Sequence, residues 1–391
     1  METQLQGAAQ RFDPHKDFFE VITFSGMRIK TLRAKRRMGD SVADARESNE
    51  RRLRRLDQMD KNRSVAGASK ALKRLWEDGR KPPHIVLRSG LLAPRDGGPS
   101  LLSQLVLPKG IALRFYLVAT FEAQCRLGPE EKWSNVLPLS GPGSWSDLFA
   151  ADGAYDAKSG TYMPLTVNGR TAEDLRLRQV QGALRTLEGL GSEQYDHALV
   201  DIPRGKREQR LYQSFRLMGE AGRGGTQSPK IYVAPRPHWK AARIPIPAHF
   251  FLNGWAQVLN PSEVATWLVF RWLSKWAKKN HLKSGVYLHG ERRMKTFGLR
   301  RDAWEDGCQR LRDFGLIRFA RTVSQAEATR PLKADNSYLS DELVISSRER
   351  YEPYRYQVTD RGLEEDAVKV CKRELTFRQQ QLDQAAKHRR A

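Results

Sequence analysis

Apolar positions along this chain fall at helical spacing in long stretches, separated by short strand-like runs and glycine turns. Residues 111–126 and 261–279 predict two long apolar helices. Two later stretches end alike: Ala183-Leu184-Arg185-Thr186-Leu187-Glu188-Gly189-Leu190-Gly191, and Gln309-Arg310-Leu311-Arg312-Asp313-Phe314-Gly315. Each predicts an amphipathic helix closed by a glycine just past its last apolar residue, where a left-handed C-cap favours glycine. Each is followed by two strand-like runs. In the first half these are 197–202 and 211–217, joined by the tip Pro203-Arg204-Gly205-Lys206-Arg207. In the second they are 316–321 and 354–358, with an insertion between them.

The second half is the better specified. Asn260-Pro261-Ser262-Glu263 opens its long helix with an N-cap, a proline at the first helical position and an acid at the third. Val264, Trp267, Leu268, Phe270 and Leu273 then supply core. A short helix at 291–297, a turn at Gly298-Leu299 and a third helix at 300–314 follow. Trp304, Cys308, Leu311 and Gly315 fall on one face of the third helix, which leaves Arg300, Arg301, Gln309, Arg310 and Arg312 largely off it. Trp267, Trp272 and Trp276 are spaced for packing rather than base stacking.

Charge changes the picture most. The chain of 391 residues carries 68 Lys+Arg against 45 Asp+Glu, a net +23, the electrostatic footprint of a phosphate-backbone binder. Residues 28–63 hold 13 Lys/Arg and 6 Asp/Glu with few large apolar residues. They read either as a solvated arm, helical around 42–59, that orders on DNA, or as an exposed linker helix. The run 94–99 (PRDGGP) marks a boundary. The segment 369–391, with Arg378, Lys387, Arg389 and Arg390, reads as a basic, fraying helix. Cys125, Cys308 and Cys371 have no metal or disulfide spacing, which suits a reducing cytoplasm. No signal peptide or membrane span is read, and no cofactor is expected.

On the short helix, the Gly298-Leu299 turn, the helix ending Leu311-Arg312-Asp313-Phe314-Gly315-Leu316-Ile317 and the closing Tyr356-Gln357-Val358-Thr359-Asp360-Arg361-Gly362, residues 286–362 resemble a winged-helix DNA-binding domain of the bacterial regulator type. The first half resembles the same pattern more loosely, with Ser144-Trp145-Ser146-Asp147-Leu148-Phe149 as its short second helix. Taken as a repeat, the arrangement resembles plasmid replication initiator proteins, in which two winged-helix domains lie across successive major grooves. The resemblance implies an α+β, mainly helical chain: a basic, partly disordered N-terminal arm (1–100), a first winged-helix-like domain (101–240), a second (241–365) and a basic C-terminal helix (366–391). It implies duplex DNA as partner, with self-association or replication and partition proteins beside it, in the cytoplasm.

The resemblance also assigns residues. The third helix enters the major groove, so Arg300 and Arg301 at its start are candidates for base readout, since a guanidinium can chelate guanine. Arg292, Arg293 and Lys295 on the short helix are expected on phosphates, with Arg310 and Arg321 in the same DNA-facing set. In the first half Arg176 and Arg178 are the equivalent helix candidates, and Arg204, Lys206 and Arg207 the wing tip. The alternative for each is a solvated surface cation.

Enzyme signals are sparse. Gly205-Lys206 lacks the rest of a P-loop, and no H-x-H pair occurs. His289-Gly290-Glu291-Arg292 matches the H-x-x-R of tyrosine recombinases, with Tyr351, Tyr354 and Tyr356 downstream, but its flanks do not. The expectation is a non-enzymatic, sequence-specific DNA-binding protein, foremost an initiator or origin- or centromere-binding factor of a plasmid or mobile element. A winged-helix transcriptional repressor is the alternative, and a recombinase-like enzyme a distant one.

Overall fold

The computed structural model describes residues 38–94, 98–106, 111–150, 155–156, 161–162, 171–190, 197–224, 229–236, 243–320 and 354–388. Residues 42–391 form one compact unit; of the unit before it, only 38–41 are described, as the first turn of a helix. The chain is α+β and mainly helical, with small antiparallel sheets of two strands.

In chain order the elements are α1 (Met38–Lys61), α2 (Ser64–Asp78), β1 (His84–Arg88), α3 (Leu101–Val106) and α4 (Ala112–Arg126), then β2 (Tyr155–Asp156), β3 (Thr161–Tyr162), α5 (Ala172–Glu188), β4 (Val200–Asp201) and β5 (Arg216–Leu217). They continue with β6 (Arg243–Pro247), α6 (His249–Leu252), α7 (Trp255–Val258), α8 (Pro261–Trp276), α9 (Lys278–Ser284), α10 (Gly290–Phe297), α11 (Arg301–Asp313), β7 (Ile317–Phe319), β8 (Tyr356–Val358) and α12 (Ala367–His388). A 3-10 helix at Trp145–Leu148 stands where a short second helix was expected.

β1 and β6 pair antiparallel, from His84 opposite Pro247 to Arg88 opposite Arg243. Their alternation puts Ile85, Leu87, Ile244 and Ile246 wholly inside, as a half-buried strand pair requires. Around α4 an aromatic cluster closes the first half, with Phe115 5.2 Å from Trp145 and 5.5 Å from Phe149, and Trp133 5.1 Å from Phe215. A second cluster forms along α8, where Phe250 stacks on Trp267 at 4.6 Å and Phe270 meets Trp304 at 4.8 Å. Phe121 of α4 and Phe251 of α6, 4.6 Å apart, join the two.

The arm and the tail depart from the sequence reading. α1 is not a solvated arm: Asn49, Leu56 and Met59 are buried, and Arg55 donates to Asn260 Oδ1 at the head of α8 (3.0 Å). α12 likewise buries Val368, Val370, Cys371 and Leu375. The helices hold one another, with Asn49 Nδ2 donating to Leu375 O (2.9 Å) and Lys372 pairing with Asp57 (2.8 Å) and Asp60 (2.9 Å). Charge-dense sequence hid this because each helix keeps only a narrow apolar stripe, and long cationic side chains cover the rest.

Candidate nucleic-acid interface

Glu263, third residue of α8, accepts from the Asn260 backbone N–H (2.9 Å), and Pro261 follows at the first helical position. α8 then forms the floor on which α11 lies. Trp304, Cys308 and Leu311 are buried against it, and Gly307 passes so close that an added Cβ would meet Thr266 Oγ1 at 2.9 Å. Phe297 and Leu299 are fully buried on either side of the bend between α10 and α11. Gly298 makes that bend at φ 61°, a left-handed conformation suited to glycine, and donates to Met294 O (3.1 Å).

This packing turns Arg300, the N-cap of α11, and Arg301 outward. Arg301 is 70% exposed and pairs with Glu305 one turn on (2.7 Å), a contact that water weakens. Asp302, Glu305 and Asp306 share the outer part of α11, so its outward surface is mixed rather than uniformly basic. Partial desolvation raises the Asp306 carboxyl from its ordinary value.

The other candidates divide. Arg292 is half-buried, and Lys295 is exposed and paired with Glu291 (2.8 Å). Arg293 turns inward: its Nε donates to Leu299 O (3.0 Å) and its guanidinium lies over Trp304, 5.8 Å from the ring centroid. It braces the bend rather than facing a phosphate. Arg310 also lies inward, and burial, then Arg378 and Arg52 nearby, push its guanidinium down to about 10. A helix pattern assigns a residue to a face but cannot show that α1 and α12 cover that face. Arg321 lies outside the described residues.

After α11, Gly315 takes φ 72° and the chain enters β7, which pairs antiparallel with β8 from Ile317 opposite Val358 to Phe319 opposite Tyr356. Val286, just before α10, bridges Tyr356 as a further extended residue. Tyr356 is buried, 5.3 Å from both Phe270 and Phe319; Tyr354 packs on Phe319 at 5.4 Å, and Tyr351 lies outside the described residues. His289 packs edge-on against Tyr287 at 4.8 Å.

The first half runs through α4, a bridging residue at Lys132 and the 3-10 helix, then departs from the second half with the β2–β3 pair before α5 and the paired β4 and β5. A capping box between Thr171 and Asp174 starts α5. Arg176 leans back toward Asp147 of the 3-10 helix (4.0 Å), while Arg178 is exposed. Gly189 sits at φ −81°, so it does not adopt the expected left-handed cap; Gly191 lies outside the described residues.

At the far end of α5, Glu188 accepts from Arg204 (2.8 Å) and Arg210 (2.6 Å), the two feet of the 203–211 hairpin. Arg204 is thereby a strut, and Lys206 and Arg207 at the tip are exposed. Twelve residues of helix, about 18 Å, separate Arg176 from Glu188. The first-half candidates therefore form two stations rather than one site.

One further basic region was not among the candidates. No carboxylate occurs between Glu263 and Glu291, a span that holds Lys275, Lys278, Lys279 and Lys283. All four lysines are exposed. The missing carboxylates were its legible signal.

Among the described residues, no group of His, Cys, Asp and Glu is placed to hold a metal, and no helix is long and apolar enough to cross a membrane. Comparison with protein-family models, with curated proteins and with solved structures returns no match to this chain.

Proposed function

We propose that this chain is a sequence-specific duplex-DNA-binding protein built from two winged-helix modules, working as a replication initiator or an origin- or centromere-binding factor of a plasmid or mobile element. The observation that carries the reading is the α10–turn–α11 unit. An outward pair of arginines, Arg300 and Arg301, stands at the start of a helix whose opposite face is locked onto α8, and the β7–β8 pair follows directly. That is the arrangement a major-groove reader needs: base-edge donors at the helix start and a rigid support behind them. The net charge of +23 supplies attraction to the backbone. Support for a second module is the order of α4, α5, β4 and β5, interrupted by the β2–β3 pair, with Lys206 and Arg207 exposed at a hairpin tip.

The test is selection of bound duplexes from a random library, followed by footprinting. Two half-sites on one face of the duplex, occurring as repeats that support replication or partition of a plasmid carrying them, is the expected outcome. Recovery of one operator that acts only on transcription would favour a repressor. Enrichment of no sequence would overturn base readout.

A further inference from the structure

α9 and the outer surface of the β7–β8 pair form one basic slab. Gln357 of β8 donates through Nε2 to His281 O (2.8 Å) and Leu282 O (3.1 Å), and Val358 N–H donates to His281 Nε2 (2.9 Å), so α9 is fastened along β8. Arg318 of β7 joins from the other side, its Nε donating to Gln357 Oε1 (3.2 Å). Arg355, just before β8, reaches back to Ser284 Oγ (3.5 Å) and lies over Tyr287, 4.9 Å from the ring centroid. These contacts tie together the elements that carry Lys278, Lys279, Lys283, Arg318 and Arg355, all five of them exposed.

Several exposed cations elsewhere pair with acids one turn away: Lys73 with Glu77, Arg74 with Asp78, Lys295 with Glu291, Arg301 with Glu305. Lys278, Lys279 and Lys283 differ, making no ion pair among the described residues. Helical charge runs that only solubilise a surface ordinarily mix signs. A run of one sign, fastened to β8 beside the β7 strand that leaves the carboxyl end of α11, suits a continuous line of negative charge.

We propose that this slab is a second DNA contact, gripping the sugar–phosphate backbone of a duplex without reading bases. It rests on the reading of α11 as a DNA-facing helix but makes a different demand on the ligand. Phosphate contacts release counterions and act on every sequence alike, with a slope of log affinity against log salt near −0.9 per contact.

The experiment compares the full chain with the triple variant Lys278→Gln/Lys279→Gln/Lys283→Gln. Both are titrated by fluorescence anisotropy onto a random-sequence duplex and onto a selected site, over a salt series. These exposed side chains are outside the core, and an unchanged thermal transition confirms folding. The expected result is a slope smaller by about 2 to 3 on both duplexes. An unchanged slope, or a loss confined to the selected site, overturns the proposal. If selection finds no site while the triple variant still loses slope on random duplex, base readout by α11 fails and this contact stands. An unchanged slope beside successful selection overturns this contact alone.

Discussion

Glu263 of α8 accepts hydrogen bonds from both terminal nitrogens of Arg52 of α1, with the two side chains 4% and 9% exposed. The same carboxylate caps the first turn of α8 through the Asn260 N–H (2.9 Å), and Arg52 lies over the Phe314 ring at 5.1 Å. One ion pair thus fixes α1 to both the start of α8 and the end of α11. A buried pair is weak evidence of net stability, but breaking it strands a charge, which costs about 3–5 kcal/mol. Arg52→Ala is therefore expected to be strongly destabilising in urea unfolding. Arg52→Met with Glu263→Gln, which removes both charges and keeps an acceptor for Asn260, should recover most of that loss. Equal losses in the two variants would show that packing, not charge, holds α1.

Gly307 is where α11 comes closest to α8. Thr266 is fully buried and its Oγ1 lies 2.9 Å from the position of an added Cβ. Neither helix can relax without moving Trp304 against Phe270, 4.8 Å away. Gly307→Val should cost about 1–3 kcal/mol, as overpacking does in a filled core. Gly307→Val with Thr266→Ala should regain part of it. Thermal unfolding measures both, and a fully tolerated Gly307→Val would place the helices further apart.

The second half was legible because its signals are local. Asn260, Pro261 and Glu263 declare a helix start within four residues, and Gly298 and Gly315 mark bends at φ 61° and 72°. Side-chain direction was less accessible. Arg293 and Arg301 look equivalent in sequence, yet one braces Leu299 and Trp304 while the other stands 70% exposed. Long-range cover was not accessible at all: Arg310 is half-buried, with Arg52 of α1 and Arg378 of α12 beside it, and no local pattern encodes that meeting. The first half was blurred by its 3-10 helix, whose four residues give no periodicity to detect.

His281 gives the α9–β8 junction a pH dependence. Its Nε2 accepts the Val358 N–H (2.9 Å), which only a neutral imidazole can do, and burial, then Arg318 and Arg271, hold it below its ordinary 6.5. With a folded value below the unfolded one, the contribution is complete above pH 6.5 and is lost as pH falls below it. The urea stability difference between wild type and His281→Gln should therefore be largest at pH 7–8 and shrink toward pH 5. A difference that grows on acidification would mean that His281 is held charged.

Arg301 and Arg293 make the sharpest pair of tests for base readout. Arg301→Ala removes a guanidinium that is 70% exposed, so folding should change by less than about 0.5 kcal/mol. Binding to the selected site should weaken by about 1–3 kcal/mol while random duplex is bound nearly as before. Arg293→Ala should act in the opposite order. It leaves the Leu299 carbonyl without its 3.0 Å donor and Trp304 without the overlying guanidinium, so unfolding should come earlier. Any loss of DNA binding should then follow the loss of the α10–α11 bend. Anisotropy titrations at fixed salt, beside urea midpoints, separate the two. An Arg301 variant that weakens random and selected duplexes equally would make this residue a phosphate contact and move base readout to Arg300.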